Sequence, residues 1–181
     1  MPEVLERLTF SPPPSGMDRE AFLARFGGVY EHSPWIAARL YDRGLTRAHD
    51  DVDGLAGALA EVVADADDMA KLALICAHPD LAGRAAIAGT LTAESKSEQR
   101  GAGLDQCSPE EYERFQALNT AYKGKFGFPF ILAVAGRSRA EILDIFENRI
   151  GRSRSVEFEE ALRQIDRIAR IRLEAIARGQ R

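Results

Sequence analysis

The sequence predicts an all-α fold: a single-domain, irregular helical bundle over residues 1–181, closed by a long C-terminal helix. Three observations carry that prediction. Phe158, Ala161, Leu162, Ile165, Ile168, Ala169, Leu173 and Ile176 recur with a period of about 3.6 residues for about five turns. Helix-start signals recur along the chain, at Ser33-Pro34, Asp67-Asp68 and Ser108-Pro109. Neither a long alternating strand pattern nor an Asn-Gly hairpin occurs.

The elements follow in order. Residues 1–16 read as an extended arm, with Pro12-Pro13-Pro14 breaking any helix. Asp18 to Phe26 places Phe22, Leu23 and Phe26 at helical spacing and ends at Gly27-Gly28. Ser33 as N-cap and Pro34 at the first helical position open a helix carrying Trp35, Ile36 and Leu40, which Gly44 closes. A helix over 52–64 buries Leu55, Leu59, Val62 and Val63. Around it, Asp50 to Ala70 holds seven acids and no base, a solvated face. Met69 to Ala77 is a short helix whose Leu72, Leu74, Ile75 and Cys76 mark it as central. Ser108, Pro109 and Glu111 form a capping box before a helix with Phe115, Leu118 and Tyr122 in one stripe.

Composition narrows the function classes. With 45% hydrophobic residues and a net charge of −4, the chain suits a packed core and excludes a disordered protein. No apolar run approaches the ~20 residues of a membrane span, and MPEVLERLTF lacks the pattern of a signal peptide. Cys76 and Cys107 stand apart from any paired motif, so a reducing, cytoplasmic setting is expected. The balance is −7 over residues 1–136 and +3 over 137–181. The basic tail interleaves Arg with Glu, a solvated helix face rather than a nucleic-acid stripe. His32, His49 and His78 share no metal-type spacing, and no phosphate loop, nucleophile elbow or dinucleotide fingerprint is present.

Three segments carry more than a bundle needs, and each has two readings. Pro79 forces His78 out of helical geometry, so His78 either caps the preceding helix by bonding its last carbonyls or serves as an acid–base group. Ser95 and Glu98 have capping-box spacing; alternatively, Ser95, Glu98 and Gln99 face a ligand. Phe126-Gly127-Phe128-Pro129-Phe130-Ile131 is either a core plug or a wall along which backbone amides approach a ligand at Gly127. Asn119 lies one position from its helix's apolar stripe, a costly place for an amide without a partner.

Taken together and in this order, HPDLAG, SxSEQxxAGL, LNxxYxxKFGFPFI, a basic segment and a long final helix resemble the OHCU decarboxylases of purine breakdown. OHCU is 2-oxo-4-hydroxy-4-carboxy-5-ureidoimidazoline. The resemblance extends over nearly the whole chain, including Phe22, Tyr30-Glu31 and Ser33-Pro34-Trp35. It implies an all-helical, homodimeric, cofactor-free enzyme that converts OHCU to S-allantoin and carbon dioxide. It marks His78 as the catalytic histidine and Glu98 as the acidic site residue. Pro79, Ser95, Lys96, Ser97, Gln99 and Phe126 through Ile131 (Phe126, Gly127, Phe128, Pro129, Phe130, Ile131) match its substrate-contacting motifs. Arg149 matches a family Arg and is expected to meet a carboxylate; in the family's R-L-x-N pattern, Arg152 here replaces the Asn. The partner implied is a small molecule, with no metal, nucleic acid or membrane.

Two rival functions belong to other classes. A non-catalytic ureide-binding helical module would have no use for the His78–Glu98 pair. A lyase or isomerase acting on a related ureido-imidazole would keep all three motifs.

Overall fold

The computed structural model describes residues 7–83 and 90–179. Among them the regular elements are helical: α1 (Arg19–Phe26), α2 (Trp35–Arg43), α3 (Val52–Ala64), α4 (Asp68–Cys76), α5 (Ala93–Gly101), α6 (Pro109–Phe126), α7 (Arg139–Ile150) and α8 (Arg154–Ala177). Short 3-10 turns lie at Pro14–Gly16, Arg47–His49 and Leu104–Gln106. The all-α prediction holds. No helix of the described residues is long and apolar enough to cross a membrane.

The chain divides into two compact units, one of Met1–Lys71 with Asp166–Arg181 and one of Leu72–Ile165. In the first, side-chain caps start α1 and α3. Asp18 accepts from the Ala21 amide at 2.8 Å and Asp51 from the Gly54 amide at 2.7 Å. Gly54 is obligatory, because a Cβ there would stand 1.6 Å from the Ala48 carbonyl oxygen. Phe22, Phe26, Ile36, Leu40, Leu55, Leu59 and Val62 fill the interior. The N-terminal arm departs from a plain extended segment. Its first six residues lie outside the described ones, Thr9 bridges Asp51, Phe10 is buried, and Pro14–Gly16 closes a 3-10 turn. Ser15 donates from its amide and its hydroxyl to the Asp50 carboxylate, both at 2.8 Å, so part of the acidic stretch ties down the arm.

Two further expectations need correction. The cap position of α2 falls on Pro34, already in helical geometry, with no side-chain cap bond. The α4 helix is not central: Leu74 and Ile75 are buried, but Met69 is 83% exposed and Cys76 also faces solvent. Seven of its nine residues are apolar, so composition could not show that Met69, Ala73 and Cys76 face solvent.

In the unit Leu72–Ile165, the capping box at Ser108 and Glu111 forms as expected, and a second forms at Ser138 and Glu141. The buried stripe of α6 is Phe115, Asn119, Tyr122 and Phe126, with Asn119 where Leu118 was expected. Gly127 ends α6 at φ +79, a left-handed conformation that releases the chain into 128–134. From Phe128 to Val134 every residue is buried.

Candidate active site

The loop after α4 carries His78. Its backbone N–H donates to the Ile75 carbonyl at 3.2 Å, and its ring Nδ1 lies 3.0 Å from the Leu74 carbonyl. A carbonyl only accepts, so Nδ1 carries the proton of that bond. The capping reading is thus met by the structure, and a ring held through Nδ1 is compatible with the acid–base reading. His78 is 9% exposed and Pro79 half-buried.

Neutral amides hold the rest of this loop. Gln99 on α5 accepts from the Ala82 N–H at 3.0 Å, and its Nε2 approaches the Asp80 carbonyl at 3.4 Å. On α6, Gln116 donates to the Ala82 carbonyl at 2.8 Å and Asn119 to the Leu81 carbonyl at 3.0 Å. Lys123 closes the solvent side with an ion pair to Asp80 at 2.6 Å. These bonds hold Ala82 at φ +49, a conformation that costs a residue with a Cβ about 1–2 kcal/mol. Asn119 Oδ1 is buried and has no hydrogen-bond partner among the described residues.

On α5 the capping-box reading of Ser95 and Glu98 fails. Thr92 is the N-cap and accepts from the Ser95 amide at 3.2 Å, so Ser95 and Glu98 lie inside the helix. Ser95, Glu98 and Gln99 are spaced to share a face, the one that Gln99 presents to the His78 loop. Ser95 is 4% exposed and Gln99 5% exposed, and Glu98 is half-buried. Lys96 and Ser97 lie on the exposed side. Gln99, expected to read a ligand, has both ends of its amide on loop backbone.

The segment Phe126–Ile131 follows α6 out of the same neighbourhood. Its rings join an aromatic cluster around Tyr122: Phe126 at 4.4 Å, Phe130 at 5.4 Å, Phe146 at 5.7 Å and Phe128 at 6.1 Å between centroids. Phe130 and Phe146 stack at 3.8 Å. The core-plug reading therefore holds for the rings, while Gly127 remains exposed.

Arg149 sits in a buried polar hub that sequence reasoning missed. Its Nε and Nη2 donate to the Glu157 carboxylate at 3.0 and 2.8 Å, and its Nη1 donates to the Ile131 carbonyl at 2.7 Å. The Tyr122 hydroxyl also donates to Glu157, and Arg152 Nη1 reaches it at 3.3 Å. Burial, then the bond to the carboxylate, pushes the Tyr122 phenol far above its usual range, so it stays protonated and donates. Glu157 is 0% exposed. A signal for it exists: Glu157 continues the stripe of Ala161, Ile165 and Ala169 by one step of four. In the other unit a second buried pair was missed, Arg172 with Glu31 at 2.9 Å. Beside it, Tyr30 donates to Asp166 at 2.8 Å. Among the described residues no group of His, Cys, Asp or Glu is arranged to hold a metal ion.

Comparison with known proteins follows the same residues. The family model described as OHCU decarboxylase matches residues 15–174. The chain is 45% identical over 159 residues to a 2-oxo-4-hydroxy-4-carboxy-5-ureidoimidazoline decarboxylase of Halalkalicoccus jeotgali, spanning 88% of this chain and 86% of that protein. It is 40% identical to the protein of the same name from Haloferax volcanii, spanning 87% of this chain and 89% of the relative. A crystal structure of (S)-allantoin synthase superposes with a TM-score of 0.71 at 31% identity, over 88% of this chain and 51% of that one. With its three motifs present and its family model matched across nearly its whole length, the chain belongs to the OHCU decarboxylase family.

Proposed function

We propose that this chain is a carboxy-lyase that decarboxylates OHCU to S-allantoin and carbon dioxide in urate degradation. The observation that carries this reading is the buried loop of His78, clamped by the helix bearing Ser95, Glu98 and Gln99 and by the helix that leads into Phe126–Ile131.

The chemistry needs little from the protein. The bond from C4 to the carboxylate breaks, its electron pair forms a C4=C5 bond, and the pair of the neighbouring C=N bond moves onto nitrogen, which takes up a proton. A proton is then added at C5, which fixes the stereocentre, while the C4 hydroxyl loses its proton to become the carbonyl, for a net uptake of one proton. The substrate is its own electron sink, so the reading includes no cofactor. What the protein supplies is orientation, exclusion of water and one proton delivered to one face. His78, with its tautomer fixed through Nδ1, is the acid–base group acting through Nε2, and Glu98 is its acidic partner. Ser95, Pro79 and the backbone of Phe126–Ile131 bind the ureido and ring groups, while Gln99 supports them by holding the His78 loop, and Lys96 and Ser97 lie on the exposed side of the same helix. A homodimeric assembly and a cytoplasmic setting belong to the same reading.

The test is to generate OHCU in situ from urate and follow allantoin by circular dichroism. The expected result is rapid formation of the S enantiomer. Racemic allantoin at the rate of the buffer control would refute the reading.

A further inference from the structure

We propose that Arg149, Glu157 and Tyr122 are positioning residues that set the Phe130-Ile131 backbone, and that Arg149 acts through the Ile131 carbonyl rather than on a substrate carboxylate. The inference rests on the reading of Phe126–Ile131 as a substrate-contacting segment.

The hub is built from three elements of one unit: Tyr122 on α6, Arg149 at the end of α7 and Glu157 in the first turns of α8. Arg149 is 3% exposed, and each of its three nitrogens already donates, two to Glu157 and one to Ile131. The guanidinium carbon also lies over the Phe130 ring, 4.5 Å from its centroid. Two of the five N–H groups remain, but on a side chain only 3% exposed, so a carboxylate ligand would have to open the packing of the hub to reach them.

The geometry instead points the hub at the backbone. Arg149 holds the Ile131 carbonyl by its edge and the Phe130 ring by its face, so one side chain fixes two consecutive residues. Arg154 adds a bond to the Phe126 carbonyl at 3.0 Å, at the other end of the segment. Glu157 orients Arg149, and Tyr122 orients Glu157 from within the aromatic cluster. The hub also accounts for Arg152, which stands where the family has Asn. Its guanidinium donates to Glu157 Oε1, so a hydrogen-bond donor is retained at that position, and it remains 43% exposed.

S-Allantoin lacks the carboxylate that OHCU loses, which separates the two roles of Arg149. The experiment compares the full-length wild type with Arg149→Lys and Tyr122→Phe. It reads KM for OHCU, inhibition by S-allantoin, and the backbone 15N shift of Leu132, whose amide is joined to the Ile131 carbonyl. A positioning hub predicts that Arg149→Lys moves the Leu132 resonance and weakens OHCU and S-allantoin by the same factor. That factor is about tenfold, the scale of a lost charged hydrogen bond. Tyr122→Phe, which keeps the ion pair and so protects the fold, should do the same with a smaller factor, about two- to threefold. Weakened OHCU with unchanged S-allantoin would overturn the proposal in favour of a direct carboxylate contact. An unmoved Leu132 resonance with both affinities intact would also overturn it. Absence of turnover in the wild type would refute the decarboxylase reading, while the Leu132 shift would still decide whether the hub sets this backbone.

Discussion

Loop 78–83 and segment 127–134 both leave the helical scaffold of the same unit, yet they are held by opposite chemistry. The first is fixed by the neutral amides of Gln99, Gln116 and Asn119, with the ion pair of Lys123 to Asp80 turned toward solvent. The second is fixed by a buried ionic hub and a cluster of aromatic rings. The loop contains a titratable imidazole, whose proton affinity every nearby charge would shift. Amides supply geometry there without adding charge. The aromatic segment contains no titratable group, so a buried carboxylate and guanidinium beside it disturb no proton chemistry. The difference teaches that one unit can fix one backbone segment with neutral amides and another with a buried ion pair.

This comparison can be broken at several strengths. The largest expected effect is on the ionic side. Glu157→Leu strands the Arg149 guanidinium in the core and should cost about 3–5 kcal/mol in denaturant unfolding. A loss under about 1 kcal/mol would mean that the hub is not a structural charge pair. A smaller effect is expected on the amide side. Gln116→Leu leaves the Ala82 carbonyl without its bond at 2.8 Å and should cost about 1–3 kcal/mol, with a larger proportional fall in kcat than in stability. Lys123→Met, which removes only the half-exposed pair to Asp80, should cost no more than about 1 kcal/mol and leave kcat unchanged. If Lys123→Met slowed turnover as much as Gln116→Leu, charge rather than amide geometry would be governing the loop.

Much of the fold was legible because its signals are local. The capping box at Ser108 and the stripe of Ala161, Ile165, Ala169 and Leu173 depend on spacing alone, and both reappear in the structure. The one-sidedness of α4 was not legible, since hydrophobicity along nine residues cannot say which face meets a neighbour. At the candidate site, the three motifs could be read, but the division of labour within them could not. Ser95 resembled a cap because S-x-x-E spacing serves both a helix start and a helix face; Thr92, three residues earlier, decides between them. Gln99 and Asn119 carry their polar groups to backbone far away in sequence, a pairing that no local pattern encodes. Arg149 reads as an arginine that meets a substrate carboxylate, and Glu157 goes unmarked, because the partners Tyr122 and Ile131 are non-local.

The most direct measurement concerns His78 itself. In His78→Asn the new amide can still donate to the Leu74 carbonyl, so the helix end keeps its cap while the group that exchanges a proton is lost. Glu98→Gln is its companion, free of any capping role now that Thr92 holds the cap. Both variants should fold with unchanged circular dichroism, and turnover of OHCU generated in situ should fall by about 10²–10⁴, the scale of a positioned acid–base group. The allantoin that still forms should be racemic. A stable His78→Asn protein that makes S-allantoin at the wild-type rate would contradict the assignment of His78 as the proton donor and reduce it to a helix cap.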